Sequence, residues 1–144
     1  MAETKKGNQQ TITVEQVRYL RAVEKDKLMQ LTKRKRTVMR MMSENSVVKQ
    51  NITELGKGSK ESIIPIGAGI YVSGTITANS FKRTLPGNVV LPSSMEDIEK
   101  ELVEREKIYA KDLEQVDKEI ATTRQNLQGM TALLKMSQKQ GKKS

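Results

Sequence analysis

Cysteine, histidine and tryptophan are absent from the 144 residues, and one phenylalanine with three tyrosines supplies all the aromatic character. Without cysteine and histidine there are no disulfides, no thiolate nucleophile, no imidazole base and no zinc site of the usual ligands. No apolar run approaches the ~18–20 residues that would span a bilayer. The opening MAETKKGNQQ has lysines but no apolar core behind them, so it does not read as a signal peptide, and a cytoplasmic protein is expected. Hydrophobic residues make up only 35% and charged residues 30%, a mixture poor for a compact globule and suited to long helices with a thin core. The net charge of +9 favours acidic partners: nucleic acid, anionic lipid or an acidic protein surface.

What the chain does contain is helix-forming sequence at both ends. Thr13 and Gln16 have capping-box spacing, and neither proline nor glycine follows until Gly56. A 3-4 spaced series, Val17, Leu20, Glu24, Lys27, Leu31, Arg34, Val38, Met41, Asn45, Val48, Ile52, Leu55, predicts a coiled-coil seam on a helix over 13–56. Gly56 and Gly58 close it. A second helix is expected over 94–137, opened by Ser93, Ser94, Glu96 and Asp97. Its seam is Met95, Ile98, Leu102, Arg105, Tyr109, Leu113, Val116, Ile120, Thr123, Leu127, Met130, Leu134, with two successive steps of four around Tyr109. Residues 1–12 and the basic 138–144 are read as tails. The first helix carries a net +5 and the second a net −3, which favours an antiparallel pair within one chain.

Between them stands IIPIGAGIYVSGTI, Ile63–Ile76, the one dense run of β-branched residues. Its even positions are Ile64, Ile66, Ala68, Ile70, Val72, Gly74 and Ile76; the odd ones are mostly small or polar. Period two predicts a β-hairpin with one apolar face. Pro65 fits an edge or bulge, and Gly67 and Gly69 allow positive φ at a turn. A second hairpin is expected from Phe81–Leu85 and Val89–Leu91 around Pro86-Gly87-Asn88. Residues 57–93 number 37, below the ~40 at which unstapled domains fold alone. The apolar face therefore needs other chains, through Ile64, Ile66, Gly67, Gly69, Ile70, Val72, Ile76, Val89 and Leu91. The fold class expected is α+β: a long antiparallel coiled-coil hairpin of helices with two β-hairpins at the junction.

The order of helix, IPIGAG, YVSGTI, second hairpin and helix resembles prefoldin, specifically its α-class subunit. The distinctive residues are Ile64-Pro65-Ile66-Gly67-Ala68-Gly69 and Tyr71-Val72-Ser73-Gly74-Thr75-Ile76. The resemblance implies a hexamer of two α and four β subunits whose hairpins form a β-barrel platform. It further implies coiled-coil tentacles that hold unfolded polypeptide and pass it to a group II chaperonin without nucleotide or other cofactor.

In an antiparallel pair the helix ends meet at a tip, and the client-binding candidates there are Val14, Val17, Leu20, Val23, Leu127, Met130, Leu133, Leu134 and Met136. Frayed ends expose seam residues, and methionine adapts its shape. Met39, Met41 and Met42 read as core packing, and Lys33-Arg34-Lys35-Arg36 as solvated surface or a dock for an acidic partner. An alternative reading is a basic coiled-coil scaffold for nucleic acid or an acidic protein. An enzyme is not expected: Gly67-Ala68-Gly69 lacks the third glycine of a dinucleotide fingerprint, and no P-loop is present.

Overall fold

The computed structural model describes residues 11–58, 60–76 and 81–141. The fold is α+β, with two long helices and two antiparallel β-hairpins in the order α1 (Val14–Leu55), β1 (Lys60–Gly67), β2 (Ile70–Ile76), β3 (Phe81–Leu85), β4 (Val89–Ser93) and α2 (Met95–Gly141).

Both helix starts are fixed by side chains. The Thr13 N–H donates to Gln16 Oε1 at 2.9 Å and the Gln16 N–H to Thr13 Oγ1 at 3.2 Å, a reciprocal capping box. At α2 the Asp97 N–H donates to Ser94 Oγ at 3.2 Å, and Glu96 and Asp97 place carboxylates in the first turn. The C-terminal end of α1 closes through Gly56 N–H to Ile52 O at 2.9 Å, followed by Gly58 at φ +125°. Helix α2 continues to Gly141, past its expected end at 137. Gln138, Lys139 and Gln140 have good helix propensity, so loss of the apolar pattern does not stop it.

The chain divides into two compact units, residues 1–35 with 115–144 and residues 36–114. We call them the helix-end unit and the hairpin unit. In the helix-end unit Leu31, Val116 and Ile120 form a buried cluster with Leu28 packed against it, and Lys35 Nζ meets Asp117 Oδ1 at 2.6 Å. Among the described residues only Val116 and Thr123 are wholly withdrawn from solvent, as expected of a core one helix pair thick. In the hairpin unit Val38, Asn45, Ile52 and Leu102 are buried. Asn45 Nδ2 donates to the Leu102 carbonyl at 3.0 Å, Lys49 Nζ meets Glu106 Oε2 at 3.2 Å, and Met95 lies against Gly56. In that unit α1 and α2 thus run antiparallel.

The two hairpins are separate two-stranded sheets. In the first, Ile64 pairs with Val72 and Pro65 with Tyr71, and the register shifts between Pro65 and Gly67. The bulge falls beside the proline. Ala68 and Gly69 then occupy the two turn positions with φ +50° and +76°, the sign a type I′ turn requires at both. In the second, Phe81 pairs with Ser93, Arg83 with Leu91 and Leu85 with Val89. Gly87 and Asn88 both take positive φ. Strand β4 runs on through Pro92 to Ser93, beyond the expected Leu91. On β3 Phe81, Arg83 and Leu85 are half-buried, and Arg83 pairs with Glu101 of α2, which Arg105 also contacts at 2.5 Å.

Candidate functional site

The first hairpin is exposed on both faces. Register places Ile64 beside Val72 on one face and Ile63 with Tyr71 on the other. Ile64 is 41% exposed and Val72 47%, but Ile63 reaches 71% and Tyr71 63%. Parity alone had marked one apolar face; Ile63 and Tyr71, at odd positions, make the opposite face apolar at its turn end. Ile66 and Ile70 are likewise exposed, and Ile76 is half-buried. In the second hairpin Val89 and Leu91 are exposed, and so is Val90 at 54%. Each two-stranded sheet also leaves the outer edge of both strands without a strand partner among the described residues.

The helix-end unit brings the other candidates together. Val14, Leu20, Val23, Leu133 and Met136 are exposed; Leu127, Met130 and Leu134 are half-buried; Val17 is buried. Ile12, Tyr19 and Met29 are also exposed and were not singled out by the sequence, because they stand off the expected seam.

The buried line of α1 corrects the expected seam. Val17, Leu31, Val38, Asn45 and Ile52 are buried and Glu24 half-buried, a seven-residue spacing as anticipated. As far as Lys35 the intervening positions lie four residues on, not three; beyond it Met41 and Leu55 are half-buried as expected, and Lys49 is exposed. Arg21, Leu28, Lys35 and Met42 are half-buried, whereas Leu20, Lys27, Arg34 and Val48 are exposed. On α2 every expected seam residue except Arg105 is buried or half-buried. Met39 is exposed while Met41 and Met42 are half-buried, so the methionine cluster is only partly core. Of the basic run, Lys33, Arg34 and Arg36 are exposed and Lys35 is turned to Asp117.

Four buried side-chain atoms lack a hydrogen-bond partner among the described residues: Arg21 Nε, Glu24 Oε2 and Thr123 Oγ1 in the helix-end unit, and Asn45 Oδ1 in the hairpin unit. No cluster of three or more acidic side chains converges as a metal site would need, again among the described residues. Among those residues no helix is long and apolar enough to cross a membrane. No family model and no curated protein matches the chain.

Proposed function

We propose that the chain is a prefoldin-type co-chaperone subunit that holds unfolded polypeptides, without ATP, for delivery to a group II chaperonin. The observation that carries the reading is the exposure of Val14, Leu20, Val23, Leu133 and Met136 within one unit built on a thin core. Apolar side chains gathered without a fixed partner suit a client that has no fixed shape. The seven-residue repeat of α1 is read as one strand of a coiled coil. The hairpins, the first apolar on both faces and both open at their edges, are read as the assembly element of a β-barrel platform in an α2β4 hexamer with β-class subunits in the cytoplasm. Ile64, Ile66, Ile70, Val72, Ile76, Val89 and Leu91 would be covered there, with Gly67 and Gly69 shaping the turn.

Aggregation of a denatured test protein, followed by light scattering with and without β-class subunits, tests the reading. Suppression should persist across a range of salt, and no suppression under either condition refutes it. Removing residues 1–20 together with 127–144 should leave the oligomer intact and abolish holding; retained holding moves the client surface into residues 21–126. A second reading, a scaffold for nucleic acid, draws on the basic charge. It predicts instead an affinity that falls steeply with salt.

A further inference from the structure

The exposed residues of α1 that lie beside its buried line form a stripe of their own: Gln16, Leu20, Val23, Lys27, Gln30 and Arg34. Steps of four and three keep them on one helix face, and all six are exposed. The stripe is about 27 Å long, the reach of about eight residues of extended chain. Its first half offers Leu20 and Val23, its second Lys27 and Arg34. Neither cation makes an ion pair or hydrogen bond among the described residues. The nearest carboxylate in sequence, Asp26, accepts instead from Gln30 Nε2 at 3.0 Å.

Charge is divided unevenly between the units. Residues 36–114 carry eleven basic and eleven acidic side chains, whereas residues 1–35 with 115–144 carry fifteen and six. The whole net charge of +9 therefore resides in the helix-end unit. We infer that this stripe selects acidic segments of non-native polypeptide, apolar side chains seating on Leu20 and Val23 and carboxylates on Lys27 and Arg34. The inference rests on the holding function proposed above and adds the class of client. A second copy of the chain does not fit as occupant, since two units of this charge repel. A nucleic acid would use the cations but not Leu20, Val23, Leu133 and Met136, since its strands bind through phosphate contacts and stacking on aromatic rings.

The test uses the full chain, assembled with β-class subunits where these are required. Its probes are two fluorescent peptides of about ten residues with matched apolar content, one bearing glutamates and one bearing lysines, and a single-stranded RNA oligonucleotide. Binding is read by fluorescence anisotropy at low and at physiological salt. The acidic peptide should bind about tenfold more tightly than the basic one at low salt, the difference narrowing as salt rises. The double variant K27E/R34E should erase or invert that preference, with its helical circular dichroism unchanged because both side chains are exposed. L20S/V23S should weaken both peptides alike. Equal affinity for the two peptides in the wild type overturns the charge selection but leaves holding intact. Failure to bind either peptide, together with failure to suppress aggregation, overturns the holding function itself. RNA binding that K27E/R34E abolishes while the acidic peptide is unaffected reassigns the stripe to nucleic acid.

Discussion

Replacing Thr123 with valine should stabilise the helix-end unit. Thr123 is wholly buried, and its Oγ1 has no hydrogen-bond partner among the described residues. Other helical threonines show what it lacks: Thr32, Thr53 and Thr122 each donate to the carbonyl four residues back, at 2.8, 2.9 and 3.0 Å. An unsatisfied buried hydroxyl costs about 1–3 kcal/mol in desolvation, and valine keeps the shape of threonine with similar helix propensity. T123V should therefore gain about 1–2 kcal/mol, a rise in Tm of about 3–6 °C for a chain of this length. Thermal and urea unfolding at one fixed protein concentration read the effect, since oligomerisation would otherwise shift Tm. T123S keeps the hydroxyl and loses the methyl, so it should be less stable than wild type by about 1 kcal/mol. A lower Tm for T123V refutes the reasoning and means that the hydroxyl is satisfied in solution. Arg21 and Glu24 leave unpartnered buried atoms in the same unit, so the gain is expected without any change at Leu31, Val116 or Ile120.

Three further outcomes are expected. N45A removes the 3.0 Å bond to the Leu102 carbonyl and should cost about 1–2 kcal/mol in urea unfolding; an unchanged midpoint would show that water replaces the amide at no loss. A68N should stabilise the first hairpin by up to about 1 kcal/mol, because asparagine tolerates the positive φ that alanine resists, and amide exchange at Ile70 and Tyr71 should slow. I66D with I70D should reduce the sedimentation mass while preserving helical circular dichroism, both side chains being exposed in the single chain; an unchanged mass rules out the hairpin as the assembly surface.

Much of the architecture was legible because local chemistry decides it. Thr13 with Gln16 and Ser94 with Asp97 are caps written in neighbouring residues, and the structure makes both. The first hairpin follows from period two and from glycine at a turn where φ must be positive. Less legible was the odd face of that hairpin. Pro65, Gly67, Gly69, Ser73 and Thr75 dilute the face statistically, while Ile63 and Tyr71 make its turn end apolar physically. The exposed side chains of the helix-end unit were legible only as a region. Whether Val17 or Leu20 turns inward depends on the partner helix, which a single segment does not describe.

That dependence explains the one systematic shift. At the second seam position of α1 the sequence offers Leu20 or Arg21, Lys27 or Leu28, Arg34 or Lys35, Met41 or Met42, Val48 or Lys49. Hydropathy prefers the first of each pair in two cases, Leu20 and Val48, the second in one, and separates the rest weakly. The fold takes the second in the first three pairs, half-buries both methionines and leaves both Val48 and Lys49 exposed. Lys35 and Lys49 can lay their methylene stems along the helix interface and carry their charge to Asp117 and Glu106 on α2. Those pairs have partly exposed side chains and contribute little stability each, about 0–1 kcal/mol. They nonetheless use acidic positions on α2 that the other phase would leave without a partner from α1. The consequence is that Leu20 and Val48 stay exposed and Lys27 and Arg34 stay unpaired among the described residues. A helix built only to pair with α2 would have placed small polar residues there. Leucine followed seven and fourteen residues on by lysine and arginine, on an exposed face, is therefore surface chemistry that the helix pair does not consume, and it is what an acidic, partly apolar chain would recognise.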